Sequence, residues 1–291
     1  MRVVSLVPAA TEMASALGAL EDLVAVTHDC DFPPEVRALP RVTSATIPVG
    51  ATSREIDTLV REAASRGEST FHLDAGALRD AAPEVILGQT LCAVCAVTLD
   101  RVPRELPLPP QVVALEADSL EGMYGDLARV GQALGRGSEA RALIESLRHR
   151  VAAVRRAVAW RERPRVACIE WVDPPFNGGH WVPEQVELAG GRDVLGEPGA
   201  RSRELAWDDV RAARPEIVVV MPCGWDVRRA EQEARAVPDL AARIIAVDGN
   251  AYFSRPGPRL VDGVELLASL LHPGIVPPPR DAKAIEVRAH A

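Results

Sequence analysis

The sequence predicts an α/β fold of two Rossmann-like lobes with parallel sheets, joined by one long backbone helix. Three observations predict it. Short β-branched runs alternate with helical stretches along most of the 291 residues, as in βαβ units. A pattern of strand and helix residues recurs at a fixed spacing. A segment without any strand-like run separates the two occurrences.

The recurring pattern is a Pro-Glu pair followed by an apolar run. Pro83-Glu84 precedes Val-Ile-Leu and Pro215-Glu216 precedes Ile-Val-Val, so the spacing is 215 − 83 = 132 residues. Because other apolar runs keep this spacing, the repeat indicates one α/β unit used twice, with lobes at residues 1–117 and 161–272. The predicted strands are the runs at 3–7, 23–27, 85–87, 112–116, 165–169, 217–221 and 244–247.

The segment between the lobes, residues 118–160, predicts a helical linker. Asp118 and Glu121 form a capping pair for a first helix, and the Gly135-Arg-Gly137 sequence interrupts that helix. Residues 138–160 then have the periodicity of one amphipathic backbone helix, roughly 35 Å long at 1.5 Å per residue. The other predicted segments are helices at 11–17, 53–65, 183–189 and 208–213, a helical insertion at about 45–70 and a Pro-rich tail at 273–291.

The composition excludes several classes of protein. Hydrophobic residues make up 47% and charged residues 25% of the chain, which is typical of a globular protein. A net charge of −8 argues against a nucleic-acid partner, since phosphate binding needs a clustered basic field. The nearby arginines 148, 150, 155 and 156 are interpreted as a solvated helix face. No apolar run reaches the roughly 18 residues of a membrane span, so membrane insertion is not expected.

The first residues of the chain and its cysteine content bear on where in the cell the protein is located. Met1 and Arg2 lead directly into an apolar strand, without the three regions of an export signal. The sequence as given therefore predicts a cytoplasmic protein, and a periplasmic or other extracytoplasmic one if the true start lies upstream. Five cysteines in a long chain do not resemble a disulfide framework. A monomer is expected.

Aromatic residues are scarce, at 4% of the chain, and most of them follow predicted strand ends. In parallel sheets, ligands bind beyond the carboxyl ends of the strands. Any one of these rings could instead cap a core, but together they predict a ligand-lining shell, because prolines fix the same loops. Seven of the eleven aromatics lie there: Phe32, Trp171, Phe176, Trp181, Trp225, Tyr252 and Phe253.

Cys92 and Cys95 form a CxxC pair after the predicted strand at 85–87. Such a pair can hold a metal or act as a redox couple, alone or within a wider cluster. Its further candidate members are Cys30, Cys223, His28 and His180. No phosphate-binding loop, nucleophile elbow or patterned carboxylate pair is present, so the sequence gives no positive sign of an enzyme.

Five segments, read together, resemble the cobalamin (vitamin B12) substrate-binding proteins of ABC importers. The resemblance covers nearly the whole chain to about His272 and implies the helical-backbone class III fold, which also contains haem and iron-siderophore binders. Within the family it points to a subgroup without an export signal and with a CxxC loop. The segments are Ser5-Leu-Val-Pro8-Ala-Ala-Thr11-Glu12, Asp31-Phe32-Pro33-Pro34, Leu78-x4-Pro83-Glu-Val-Ile, Pro174-Pro-Phe176 followed by Glu184-Gln-Val and Gly190-Gly191, and Tyr252-Phe-Ser-Arg255 before Pro258-Arg259.

The resemblance implies a ligand sandwiched between the lobes. Flat rings such as Phe176 and Trp207 could stack on a macrocycle, and Arg255 could meet amide or phosphate oxygens. Asp29 and Gln89 stand where the family has a tyrosine and a tryptophan. Carried over by position, the implied ligand-binding residues are Pro8, Asp29, Phe32, Gln89, Phe176, Trp207, Tyr252, Phe253 and Arg255. The strand-end pattern adds Trp181 and Trp225.

The sequence thus predicts a non-enzymatic binding protein for cobalamin or a related corrinoid, serving ABC-type uptake or cytoplasmic handling. The alternatives are a binder of haem or an iron-siderophore, a thiol-dependent metal or redox protein acting through Cys92 and Cys95, and an enzyme that modifies a corrinoid. An ABC permease is the implied partner. Residues 90–97 replace the loop that supplies one of the family's docking carboxylates, so no counterpart of that carboxylate is identified.

Overall fold

A computed structural model describes residues 1–90, 99–103, 106 and 109–288, without the side chain of Arg101. The chain divides into two compact units. Unit 1 comprises Met1–Ala117 and Glu121–Ser146, and unit 2 comprises Asp118–Leu120 and Leu147–Ala291. Each unit has a sheet with parallel strands, as the repeat predicts.

Unit 1 is built on a four-stranded parallel sheet in the order β2-β1-β5-β6. A separate antiparallel pair, β3 and β4, flanks the helix of the predicted insertion. The apolar side chains of β1 and β5 lie in the core because both strands are central in the sheet. The strands are β1 (Val3–Ser5), β2 (Leu23–Val26), β3 (Thr43–Ala45), β4 (Phe71–Leu73), β5 (Val85–Gln89) and β6 (Gln111–Leu115).

Unit 2 is built on a sheet in the order β12-β11-β10-β7-β8, with the short β9 beside the start of β7. Strands β7, β9, β10 and β11 are parallel, and β8 and β12 are antiparallel to their neighbours. All four residues of β10 are buried, as expected for the middle strand of such a sheet. The strands are β7 (Arg165–Val172), β8 (Pro175–Asn177), β9 (Arg192–Asp193), β10 (Ile217–Val220), β11 (Arg243–Val247) and β12 (Ala284–Arg288).

Ten α-helices occur in the part of the chain that the structure describes, and none has the length and apolar character to cross a membrane. Helix starts follow local chemistry: Thr52 and Glu55 form a capping box, and Asp226 accepts a hydrogen bond from the backbone N–H of Arg229. The helices are α1 (Pro8–Ala16), α2 (Ser53–Ser65), α3 (Ala75–Ala81), α4 (Leu120–Ala133), α5 (Gly137–Val158), α6 (Val182–Leu188), α7 (Trp207–Ala212), α8 (Val227–Ala234), α9 (Gly249–Tyr252) and α10 (Leu260–Leu271).

The two linker helices match the sequence pattern closely. Helix α4 ends before Gly135, whose φ of +65° suits glycine, and α5 begins at Gly137. Helix α5 ends at Val158 and not at residue 160, because the chain turns there: the Arg161 N–H donates to the Val158 carbonyl at 3.0 Å. Trp160 consequently lies in the turn after the helix.

The segment expected to be a Pro-rich tail contains the edge strand β12. Its residues 284–288 pair antiparallel with β11, and Val287 packs against the core of unit 2. Ile285 and Val287 alternate with exposed or charged residues, which is the pattern of a half-buried edge strand. The prolines that precede the strand conceal this short alternation in the sequence.

Arg150 attaches α5 to α10 within unit 2. Its guanidinium bonds Asp262 and donates two hydrogen bonds to Glu265, at 2.8 and 2.6 Å. These partners raise the pKa of Arg150, while burial raises the pKa of Asp262 more than the arginine lowers it. The arrangement satisfies two half-buried carboxylates with one cation.

We expect Arg150→Ala to lower the free energy of unfolding by about 1–3 kcal/mol, since Asp262 and Glu265 lose their shared cation. Exposed Arg155, on the same helix, supplies the control: Arg155→Ala should change stability by less than about 0.5 kcal/mol. Urea unfolding measures both. Equal effects of the two substitutions would contradict a stabilising role for this contact.

Asp193, in β9, is a half-buried residue whose carboxyl group is largely shielded from solvent. Its Oδ1 accepts backbone hydrogen bonds from Leu195 and Gly196, both at 2.8 Å, whereas its buried Oδ2 has no hydrogen-bond partner in the described structure. Burial is the main cause that raises the pKa of Asp193 from 3.8 to about 6. Ionisation of this group therefore favours the unfolded chain.

The sign of the pH effect follows from that pKa. Because Asp193 ionises more readily when unfolded, its contribution to stability is lost as pH rises from about 4 through 6, by about 3 kcal/mol. Asp193→Asn removes this titration. Urea unfolding across pH 4–8 should show the variant gaining stability relative to wild type as pH rises, then levelling. A pH-independent difference between the two proteins would contradict the raised pKa.

Candidate functional site

The carboxyl ends of β7, β10 and β11 meet along one edge of the unit 2 sheet. The register aligns Val220 of β10 with Ile169 of β7 and with Ala246 of β11. Because the three strands are parallel, the residues that follow them come together at this edge. We call this edge, with the loops beyond it, the strand-end face of unit 2.

An aromatic stack lies on the strand-end face of unit 2. Trp171, near the end of β7, and Trp225, after β10, have ring centroids 4.8 Å apart, and both rings are half-buried. The Arg229 guanidinium lies 4.5 Å from the Trp225 ring centroid, in a cation–π contact, and also pairs with Glu233 at 3.2 Å. The stack offers a partly exposed apolar surface beside a positive charge.

Backbone hydrogen bonds hold the loops of this face in place. The Trp225 carbonyl accepts from the Asn250 N–H at 3.1 Å, which joins the loop after β10 to the start of α9. The Cys223 N–H donates to the Glu170 carbonyl at 3.1 Å, which joins the same loop to β7. Gly249 approaches the Met221 and Pro222 carbonyls so closely that any side chain would collide with them. These contacts preorganise the Trp225 loop.

Phe176 and Trp207 are two further predicted ligand-binding residues of unit 2, and Phe176 adjoins the stack. Phe176 lies in β8 and pairs with Trp171 in the strand register. Trp207 begins α7 and packs partly against the unit 2 core. Both side chains are half-buried, so part of each ring remains accessible.

Other predicted ligand-binding residues of unit 2 lie in its interior. Trp181 is 5% exposed and donates from Nε1 to the Phe253 carbonyl at 2.7 Å, and Phe253 is 3% exposed. Tyr252 and Arg255 are also buried, and burial raises the pKa of the Tyr252 phenol. Gln185 donates to the Tyr252 carbonyl at 3.1 Å. These residues support the face from beneath.

His180 is a strained residue beside this interior. It has a φ of +53°, stacks on Trp181 with ring centroids 5.5 Å apart, and has a buried Nδ1 without a hydrogen-bond partner in the described structure. Burial, with a smaller effect of Arg201, lowers its pKa, so the ring is neutral at pH 7.

In unit 1, the predicted ligand-binding residues follow β1, β2 and β5. Pro8 is the first residue of α1 and is half-buried, and Gln89 is the half-buried last residue of β5. Asp29 and Phe32 follow β2 and are exposed, the Phe32 ring by 42%. Because the strands are parallel, these residues share the carboxyl-end edge of the unit 1 sheet.

A histidine network around His28 lies at the unit 1 edge. His28 contacts the Thr43 hydroxyl through Nδ1 at 2.7 Å, and its Nε2 lies 3.5 Å from Asp29. Its ring lies against Phe71, with centroids 5.7 Å apart. Thr43 and Phe71 belong to β3 and β4, so no local spacing in the sequence points to this contact.

The expected thiol and metal cluster is only partly within the described structure. Cys92 and Cys95 lie outside the described residues. Among the residues that are described, no group of three His, Cys, Asp or Glu side chains is placed to hold a metal ion. Cys30 is buried with its sulfur 3.0 Å from the Thr11 hydroxyl, and Cys223 is exposed.

A polar cavity of about 380 Å³ lies away from the strand-end face of unit 2. It is lined by charged side chains of α8 and β12, among them Glu231, Arg235 and Glu286. Arg235 pairs with Glu231 at 2.7 Å, and Arg243, at the start of β11, pairs with Glu286 at 3.0 Å. No aromatic residue lines the cavity, so the strand-end face of unit 2 is the stronger candidate for a flat ligand.

Comparisons with known proteins agree with this architecture. A profile of the family described as periplasmic binding protein matches residues 3–248. A relative from Photorhabdus laumondii, named vitamin B12-binding protein, is 24% identical over 275 residues, which cover 94% of this chain and 88% of the relative.

Two solved structures from Vibrio cholerae share the fold. The periplasmic vitamin B12 binding protein has a TM-score of 0.61 at 20% identity, covering 93% of this chain and 96% of that chain. The periplasmic heme binding protein has a TM-score of 0.67 at 20% identity, covering 94% of this chain and 99% of that chain. The shared fold confirms the predicted fold class.

We expect Gly249→Ala to destabilise unit 2 by about 1–3 kcal/mol, because the new methyl group collides with the Met221 and Pro222 carbonyls. Gly137→Ala is the matched control, since its added methyl meets no atom within 4 Å. Chemical unfolding measures both. A Gly249→Ala variant as stable as the control would show that the loop after β10 is not held as described.

Proposed function

We propose that this chain, which belongs to the periplasmic binding protein family, binds a corrinoid of the vitamin B12 class through the strand-end face of unit 2. Membership of this family confirms the resemblance seen in the sequence. It also confirms the prediction of a binding protein rather than an enzyme. The subgroup without an export signal and with a CxxC loop stays a prediction.

The observation that carries the proposal is the stack of Trp171, Trp225 and Arg229 next to Phe176. A corrinoid has a large, flattened macrocycle rimmed by amides, and a nucleotide tail with a phosphate. Half-buried rings supply flat apolar contact, and a guanidinium supplies donors to amide or phosphate oxygens. In unit 1, Phe32 and Gln89 offer an exposed ring and an amide at the equivalent edge.

The family also includes binders of haem. Of these two ligands, the chemistry of the strand-end face of unit 2 favours a corrinoid. A haem binder supplies an axial ligand to iron, commonly from Tyr or His. Tyr252 is buried with a raised pKa, which disfavours the phenolate, and its ring contacts Phe253 edge to face. His180 is half-buried with a lowered pKa, and its ring is stacked on Trp181. A cobalamin carries its own axial ligands and needs neither residue.

Membership of the family bears on how the ligand is delivered and on where the protein is located. Proteins of this family bind small-molecule chelates, work with ABC transporters and are normally periplasmic. This favours an extracytoplasmic location over the cytoplasmic one expected from the sequence. The permease partner and a role for Cys92 and Cys95 remain proposals.

An absorbance titration with cyanocobalamin and hydroxocobalamin tests the proposal. We expect a saturable spectral change at one ligand per chain. Phe176→Ala and Trp225→Ala should each weaken binding about tenfold, since each removes a stacking surface worth about 1 kcal/mol or more. Trp160→Ala, which removes a ring remote from the face, is the control and should bind as wild type does.

Haem, titrated in parallel, is the competitor. Saturable binding of haem without binding of either cobalamin would contradict the corrinoid assignment. Unchanged cobalamin affinity in Phe176→Ala and Trp225→Ala would place the ligand away from the strand-end face of unit 2. Unfolding midpoints of both variants distinguish lost contacts from lost folding.

A further inference from the structure

Trp160 is a fully exposed indole on unit 2. It lies in the turn after α5 and is 96% exposed. The other large apolar side chains that are exposed in the described structure all belong to unit 1. The aromatic residues of the strand-end face, by contrast, are at least half-buried. A tryptophan left in water forgoes the burial that its ring would gain elsewhere.

Exposed arginines precede and follow this indole. Arg155 and Arg156 lie in the last turns of α5, and Arg161 directly follows Trp160. All three are exposed, and no ion pair involves them within the described ranges. Arg150, farther back on the helix, differs because it is paired with Asp262 and Glu265. The nearby arginines of α5 thus include Arg150, which is ion-paired, and Arg155 and Arg156, whose side chains are exposed.

Two more arginines lie beside the segment that leads from Trp160 into β7. The Arg163 side chain donates to the Gly191 carbonyl at 3.0 and 2.6 Å, which keeps its charge at this place. The Arg192 N–H donates to the Pro164 carbonyl at 2.9 Å, which brings the start of β9 alongside. The acidic residues in the same stretches of chain are Glu162, Glu187 and Asp193. Five arginines against three carboxyl groups, one of them the half-buried Asp193, leave a basic excess on a chain of net charge −8.

We propose that Trp160, Arg155, Arg156 and Arg161, here called the Trp160 surface, dock on an anionic lipid bilayer. Indoles favour the headgroup region of membranes, where an apolar ring meets a polar N–H. Each arginine near an anionic leaflet adds about 1 kcal/mol of attraction. No described helix can span a bilayer, so the contact is peripheral and reversible.

A lipid surface suits this composition better than a protein partner. A stable protein interface buries roughly 800 Å² on each side around a cluster of apolar side chains. Trp160 is a single exposed ring among cations in unit 2, which supplies no such cluster. The favourable position of arginines at a helix C-terminus accounts for Arg155 and Arg156 but not for the exposed indole.

The Trp160 surface is separate from the ligand-binding face of unit 2. It precedes the amino-terminal end of β7, whereas the Trp171 and Trp225 stack lies at the carboxyl ends of the strands. Lipid contact therefore leaves the strand-end face of unit 2 uncovered. It would hold the protein at the membrane, where the transporters of its family reside, and it does not depend on the identity of the ligand.

Co-sedimentation of the purified protein with vesicles tests the proposal. Vesicles of phosphatidylcholine mixed with phosphatidylglycerol should bind the protein, and added salt should weaken the binding. Vesicles of phosphatidylcholine alone should bind it at least about tenfold more weakly. Trp160→Ala should lose several-fold in partitioning, and the Arg155→Ala/Arg156→Ala double variant at least about tenfold.

A charge-matched double variant at the two ends of α8, Arg228→Ala/Arg235→Ala, is the control and should bind vesicles as wild type does. Equal binding to neutral and anionic vesicles, an unchanged Trp160→Ala variant, or an equal loss in the control would overturn the proposal. Binding to polyglutamate but not to vesicles would overturn it in favour of an acidic protein partner. Cobalamin titration of the same variants is independent, so failure here leaves the proposed function untouched.

Discussion

The parallel register of β7, β10 and β11 is the constraint on which the site depends. Their alignment brings Trp171, the Trp225 loop and α9 to one edge, although these residues are far apart in the chain. The strands are buried β-branched runs whose pairing cannot shift without exposing core side chains. The strand-end face of unit 2 is therefore a consequence of core packing.

A second layer converts that edge into a shaped surface. Trp181 and Gln185 donate from their side chains to backbone carbonyls at 252, 253 and 260, and Gly249 lets the loop after β10 approach the start of α9. Ordering these loops before a ligand arrives lowers the entropy cost of binding. The aromatic rings of unit 2 thus differ in depth: buried ones hold the backbone of the loops, and half-buried ones remain partly accessible.

Much of the architecture could be read from the sequence, and the reasons for the exceptions are physical. The 132-residue repeat indicated strands β5 and β6 in unit 1 and β10 and β11 in unit 2, and Gly135 and Gly137 indicated the break between the linker helices. The sequence does not reveal which rings are buried. Trp181 and Phe253, which are buried, follow strand ends just as the half-buried Trp225 does. The Arg229 contact and the His28 network depend on tertiary packing, which residue spacing does not encode. Strand β12 was concealed by the prolines before it.

Backbone hydrogen exchange with and without cyanocobalamin tests the central claim most directly, because it reports where the ligand acts as well as whether it binds. The account predicts slower exchange in the segments after β7, β10 and β11, around residues 171–176, 222–229 and 248–255, with no change at Trp160. Exchange that is unaltered in these segments while cobalamin is bound would contradict the assignment of the strand-end face.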